Sequence, residues 1–280
     1  QVSPRLGATY KYDQSNVFHA FYGRMFTPPN LEAISFAKLN TLGTRAQPDD
    51  VTNNAVRAER AHYFEVGSYH ALNRYATLQF TGWYKLSNFL SDAGQFGTTP
   101  LLNYFAFERG WQRGIDGALK LQLTDNLTAR GNVAWGQCKG YGLQSGHFLL
   151  EAKEIADINS RGGVFCDHMQ TLTSSAVVTY KFLERTTMTG QMLFASGLRT
   201  AENEDAKTNS IHSPSYTIYN LSIAHVFPLP WDGQKFLLGF DIINLLDQKY
   251  YINQGEGSIG LGVAHAGMPR SFFFRGQWFF

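Results

Sequence analysis

Polar and apolar residues alternate with a period of two along most of the chain, and the alternation is interrupted at regular intervals. Leu6, Ala8, Tyr10 and Tyr12 oppose Arg5, Thr9 and Lys11. Leu78, Phe80, Tyr84 and Leu86 oppose Thr77, Gln79, Thr81 and Lys85, and Ile115, Leu119, Leu121 and Leu123 oppose Asp116, Lys120, Gln122 and Thr124. Successive side chains of an extended chain point to opposite faces, so each run predicts a two-faced β-strand. The runs are Val2–Tyr12, Val17–Phe26, Arg60–Ala71, Ala76–Phe89, a strand within Leu102–Thr124, and Leu127–Gln137. Beyond these come Leu172–Phe182, Thr187–Leu198, Tyr216–Phe227, Phe236–Leu245 and a last strand from Phe272. That makes about eleven strands, most of them longer than the usual five or six residues. Helical periodicity is nearly absent.

The interruptions sort by length. Short turns fall at Asp13–Asn16, Leu72–Tyr75, Thr124–Asn126, Leu183–Arg185 and Pro228–Gln234. Long polar excursions cover Thr27–Ala58, the stretch from Gln137 to about His168, Arg199–Ser213 and Asp247–Gly267. Short turns at one end and long loops at the other are the signature of an outer-membrane barrel. In lipid every backbone N–H and C=O must pair within the protein, so a spanning sheet has to close on itself. The predicted fold is therefore all-β: an antiparallel up-and-down transmembrane β-barrel of about eleven strands over residues 1–280. The chain ends on GMPRSFFFRGQWFF, in which Phe272, Phe274, Trp278 and Phe280 fall on one face while Arg275 and Gln277 fall on the other. This reads as a barrel-closing strand with its rings toward lipid.

Composition agrees with a two-solvent protein. Among 280 residues charged side chains make up 16% and aromatics 15%, yet net charge is only +2 and mean hydropathy is −0.24. Alternating lipid-facing and lumen-facing residues average to such values. The charge balance gives no basic stripe for nucleic acid. No apolar run approaches the ~18–20 residues of a transmembrane helix. There is no initiator Met and no leader pattern, and Gln1 stands at the start of a predicted strand, so the chain reads as beginning inside a structure.

Four segments resemble the TonB-dependent outer-membrane receptors. Phe21–Ile34, an aromatic strand running into a P-N-L turn, is similar to a strand-to-loop segment of that family. Arg57–His70 resembles its Y-E-x-G strand through Glu59, Tyr63, Glu65 and Gly67, with Ala58 where proline is usual. Phe240–Tyr251 is similar to its N-L-F-D strand end through Asn244, Leu245, Asp247 and Tyr251. The terminus is similar to its G-x-P-R…F ending through Pro269 and Arg270. The resemblance implies a barrel of about 22 strands, the size of plugged transporters. It makes this chain the C-terminal half, with the N-terminal half and the plug domain missing. It implies energy-coupled uptake of a scarce nutrient, most commonly a ferric siderophore or similar metal chelate. The implied partners are outer-membrane lipid, the missing plug and barrel half, the TonB complex acting through that plug, and the chelate. It implies no resident cofactor and no enzymatic activity.

Cys138 and Cys166 flank one long excursion. In a cell-surface loop the surroundings are oxidising, which favours a disulfide over thiols or a zinc site, and CxxC spacing is absent. His147, His168, His212 and His265 fall in external excursions, where they are either metal-chelate contacts or solvated loop residues; none has HxxxH spacing. Arg161, Arg199 and Lys207 are candidate attractants for an anionic chelate. Glu65 and Asp241 lie in strands and are placed toward the lumen, because a carboxylate facing lipid is costly. The glycine-rich stretch Gly255–Gly267 has no following helix to hold a phosphate. Adjacent Cys166, Asp167 and His168 make poor triad geometry. Two other classes compete with the receptor: a small complete outer-membrane barrel, porin or enzyme, and a soluble β-sandwich.

Overall fold

The computed structural model describes residues 2–29, 57–95, 102–145, 152–166, 168–200, 209–231, 233–253 and 264–280. The first half holds β1 (Arg5–Lys11), β2 (Asn16–Thr27), β3 (Glu59–Asn73), β4 (Ala76–Gln95), β5 (Leu102–Gln122) and β6 (Leu127–Ser145). A helix, α1 (Ala152–Ser160), and the short β7 (Val164–Phe165) follow. The second half holds β8 (Leu172–Phe182), β9 (Thr186–Ala195), β10 (Arg199–Thr200), β11 (Ile211–His212), β12 (Tyr216–Pro228) and β13 (Lys235–Ile243). It ends with β14 (Tyr251–Asn253), β15 (His265–Ala266) and β16 (Ser271–Phe279).

Eleven strands form one antiparallel path, β1-β2-β3-β4-β5-β6-β8-β9-β12-β13-β16, with β7 added beside β6 as the twelfth strand of the sheet. Each strand pairs with its sequence neighbour in the path, as an up-and-down barrel wall requires. Among the described residues β1 and β16 remain the two edges and do not pair with each other. The hairpins β10-β11 and β14-β15 are separate two-stranded sheets at the long-loop end.

The register carries one apolar face across the sheet. Tyr22 pairs with Phe64 and Phe64 with Tyr84; Leu78 pairs with Leu119; Ile223 pairs with Phe240 and Phe240 with Phe274. These rings and aliphatic chains are exposed, with Phe274 78% and Leu6 68% open. Such a surface is stable only against hydrocarbon. The opposite face carries Glu65, Asp116, Asp241 and Arg275, joined by cross-strand hydrogen bonds. Asp13 accepts the backbone N–H groups of Ser15 and Asn16, both at 2.7 Å, and so closes the first short turn.

Two strands outrun the alternation in the sequence. β4 continues past Phe89 to Gln95 and β6 past Gln137 to Ser145. Phe89 (φ 57°) and Gly142 (φ 65°) are left-handed, which shifts the pleat above them and turns Leu90, Phe107 and Leu143 inward. Gly140 lacks a side chain where the Phe107 ring crosses, so the strand there reads as a glycine-rich loop rather than as an alternating run. The helix is also new. Among its described side chains Ile155 and Ile158, three apart, face the core, too short a pattern to stand out in sequence.

The packed core sits at the long-loop end, not in mid-wall. Leu90, Phe107, Cys138, Leu143, Ile158, Val164 and Cys166 form one buried cluster, with Ile155 and Met169 against it. Asn159 of α1 donates to the Leu143 carbonyl (3.0 Å) and accepts from the Leu143 N–H (2.7 Å), fastening the helix to the top of β6.

Candidate functional site

The cluster forms the base of a cap over the long-loop end of the wall. Cys138 in β6 is disulfide-bonded to Cys166 after β7, and the Cys166 N–H donates to the Cys138 carbonyl at 3.1 Å. The bond fixes β7 and α1 against the strand tops, so Cys166 is not available as a nucleophile beside His168. His168 Nδ1 lies 3.3 Å from Asp92 Oδ1 of β4.

Above this base, two excursions meet. The Arg199 guanidinium of β10 lies 4.2 Å over the Phe165 ring. Arg199 donates to the Ser210 carbonyl and to the Thr171 hydroxyl, both at 3.4 Å. Thr171 Oγ1 is 3.1 Å from His212 Nε2, and His212 Nδ1 is 3.1 Å from the Gly197 carbonyl. A carbonyl only accepts, so Nδ1 carries the proton, Nε2 accepts from Thr171, and Thr171 accepts from Arg199. The donors and acceptors form a continuous chain only when the imidazole is neutral. Burial pushes the His212 pKa below its usual value and the Arg199 charge adds to this, against the Gly197 carbonyl. Burial likewise lowers the Arg199 guanidinium, which stays cationic. Asn209 anchors the same hairpin by donating to the Phe165 carbonyl (2.9 Å). A cleft beside it is lined by Lys139, Arg161, Val164, Phe165 and Asn209.

This arrangement presents two or three cations and an aromatic face at the mouth of the wall. It can attract and orient an anion. No three His, Cys, Asp or Glu side chains converge as metal ligands among the described residues. Of the histidines singled out in the sequence, His212 joins this site, His168 lies beside the cap, and His265 is exposed in β15. His147, Lys207, Asp167 and the greater part of Gly255–Gly267 lie outside the described residues, as do Asn30–Ile34. Phe165, Thr171 and Asn209 carry no signal in the sequence; only the fold brings them to Arg199.

The family-motif positions serve the wall. Glu59 is buried and accepts from Ser87 (2.6 Å) and Lys85 (2.8 Å), tying β3 to β4. Tyr63 donates to Glu65 at 2.6 Å, and His19 sits 3.3 Å from Glu65. Gly67 leaves room for the His19 ring to lie on β3. Asn244 (φ 54°) and Asp247 (φ 53°) shape the exit from β13. Asp247 accepts the Arg270 N–H at 3.0 Å, and the Pro269 carbonyl accepts from Ser271 (2.9 Å) at the entry to β16. In β16, Phe272 and Phe274 stack against Phe240, and Trp278 stacks on Trp231 while donating to Gln234 (3.0 Å). Phe280 is fully exposed.

Residues 1–245 match the family model described as TonB dependent receptor-like, beta-barrel. Among solved structures the chain is similar to the ferripyoverdine receptor FpvA of Pseudomonas aeruginosa (15% identity, TM-score 0.64), covering 99% of this chain and 32% of that one. It is similar to the ferric citrate transporter FecA (16%, TM-score 0.64), covering 98% of this chain and 37% of that one. It is also similar to the copper transporter OprC (13%, TM-score 0.66), covering 98% of this chain and 39% of that one. No curated protein sequence matches the chain. The chain spans about a third of the length of these solved relatives. It belongs to the TonB-dependent receptor β-barrel family, whose members reside in the bacterial outer membrane.

Proposed function

We propose that this chain forms the C-terminal half of the barrel of an energy-coupled receptor that imports a ferric siderophore or similar metal chelate. In this reading a plug and the N-terminal barrel half complete the molecule, and the TonB complex acts through the plug. The observation that carries it is the Arg199 guanidinium held 4.2 Å over the Phe165 ring in a disulfide-stapled cap. A fixed cation beside a π face suits an anionic chelate, with Arg161 and Lys139 adding charge at the neighbouring cleft. The relatives named for ferripyoverdine, ferric citrate and copper support a metal cargo. The two unpaired edges, β1 and β16, support a larger ring, since an exposed edge in lipid leaves backbone groups without partners.

The test is radioiron uptake by iron-starved cells carrying the full-length receptor, offered catecholate, hydroxamate and citrate chelates separately. One chelate class should accumulate, and accumulation should stop when the inner membrane is de-energised. Arg199→Ala should raise the half-saturating concentration about tenfold with an unchanged amount of folded receptor, the loss of ~1–2 kcal/mol expected for one charged contact. Uptake that continues without inner-membrane energy would favour the competing small barrel, a passive porin.

A further inference from the structure

Charge is unevenly placed on the lipid-facing surface. By register, that face of β8, β9, β12, β13 and β16 contains no Arg, Lys, Asp or Glu. On β2, β3, β5 and β6 the same face carries Arg24, Arg60, Arg109, Arg113 and Lys139, with His62 among them. Arg24 pairs with His62, and Arg60 pairs with Asn88, which pairs in turn with Arg109. The carboxylates Glu59, Glu65 and Asp116 of these strands point to the other face.

Depth explains how a lipid-facing surface tolerates these charges. Arg113 stands eleven positions from the short turn at Thr124. At ~3.3 Å per residue and a tilt of ~40°, that places it roughly 25 Å up, at the top of the apolar band. Phe64 and Tyr84 are level with it in register, with Ile115 and Leu119 below; Arg60 and Arg109 stand four residues higher, roughly 10 Å at the same tilt. A lipid-facing arginine costs ~2–4 kcal/mol at the midplane and ~0–1 kcal/mol near the interface. The patch therefore lies at the headgroup level of the long-loop side, where lipid anions are the available counter-charge.

The patch is also shaped. A shallow depression between β3 and β5 is lined by His62, Leu86, Asn88, Arg109, Trp111 and Tyr141. Trp111 donates to Tyr141 at 3.1 Å, which fixes the indole as one wall. The Arg113 guanidinium packs 4.8 Å from the Trp111 ring. Arg109 lines the depression, and Arg60 stands two strands away, roughly 10 Å, one same-face position above His62.

We propose that this patch seats the phosphate groups of an outer-leaflet glycolipid, holding one such lipid against the β2–β5 wall with its acyl chains on Phe64, Tyr84 and Ile115. Guanidinium groups suit the partner, because their forked donors match phosphate oxygens. The inference rests on the outer-membrane location and is independent of what the receptor imports.

The test uses the full-length receptor, stripped of lipid in detergent, with retained lipid measured by native mass spectrometry. The probes are bisphosphorylated lipid A and the same lipid after phosphatase treatment. The phosphorylated lipid should bind at least tenfold more tightly. Arg60→Gln with Arg109→Gln should weaken that binding about 30-fold, as two headgroup charges at ~1 kcal/mol each imply, and leave the dephosphorylated lipid within twofold. Arg60→Lys with Arg109→Lys should retain most of the binding. Equal affinity for the two lipids on the unaltered receptor would overturn the proposal, and this comparison stands even where a variant fails to assemble. Displacement of the lipid by micromolar inorganic phosphate would also overturn it, by showing a free-anion site.

Discussion

The side-chain amide of Asn244 donates to the Met268 carbonyl, 24 residues further along, at 3.0 Å, and so joins the exit of β13 to the approach to β16. The same side chain donates to the Gln248 carbonyl and accepts the Gln248 N–H, both at 2.9 Å, while its own N–H donates to Asn220 of β12. Asn244 is 1% exposed and left-handed. Asparagine suits both demands, since it tolerates that conformation and supplies a donor and an acceptor. Asn244→Ala removes three side-chain bonds from a buried site and adds backbone strain, for an expected loss of ~2–4 kcal/mol. Asn244→Gly relieves the strain alone and should fall between. Urea midpoints of the folded barrel in detergent, read by heat-modifiability, give the order.

Cys138→Ser with Cys166→Ser should release the cap while leaving the wall intact. The two cysteines are 28 residues apart in sequence, and closing that loop is worth ~3.6 kcal/mol in the chain-entropy model. The wall strands pair through their own ladders and do not depend on it. Limited proteolysis should cut the double variant between Gly142 and Thr171, with the heat-modifiable barrel band unchanged. Loss of the barrel band itself would assign the disulfide a role in assembly instead.

The wall was legible because lipid and water impose opposite demands on alternate residues. β8 runs Leu172–Phe182 as the alternation predicts, and β12 and β13 differ from expectation by a residue or two. Legibility ends where that constraint ends. Toward the long-loop end, β6 runs on through Gly136, Gly140 and Gly142, where the Met169 side chain, the Phe107 ring and a left-handed backbone respectively call for glycine and erase the alternation. Among the described side chains α1 packs Ile155 and Ile158 against the core, and β7 is two residues long. The cysteine pair stood out by chemistry alone. The contact of Arg199 with Phe165 did not, because its partners come from different excursions and neither has a periodic neighbour.

His212 makes the β10–β11 hairpin sensitive to acid. Its folded pKa lies below the free value of 6.5, so the unfolded hairpin binds more protons between those two values. Stability is therefore full above about pH 6.5 and falls as pH drops below it. Protonation also removes the acceptor that Thr171 uses, next to a cationic Arg199. Amide exchange of residues 197–200 and 209–213 should accelerate severalfold between pH 7.5 and pH 5.5. His212→Gln, which cannot titrate, should flatten the dependence; an equally steep profile in that variant would place the acid-sensitive group elsewhere.

The last strand should govern assembly through its outward face. Trp278 stacks on Trp231 at 5.9 Å and hydrogen-bonds Gln234, so it anchors β16 at the short-turn end of the wall. Trp278→Asp puts a carboxylate where the neighbouring surface is Phe236, paired directly opposite. Desolvating that charge costs more than the strand recovers from its ladder with β13, so folded receptor in the outer membrane should fall about tenfold or further. Trp278→Phe keeps the ring and loses one hydrogen bond, and should assemble near normally. Deletion of Phe280 removes an aromatic ring that packs on nothing in the folded wall. Its loss should leave the stability of barrels already formed unchanged and still reduce their number. A deletion that instead lowered the unfolding midpoint at normal abundance would show that Phe280 acts in the finished structure and not during insertion.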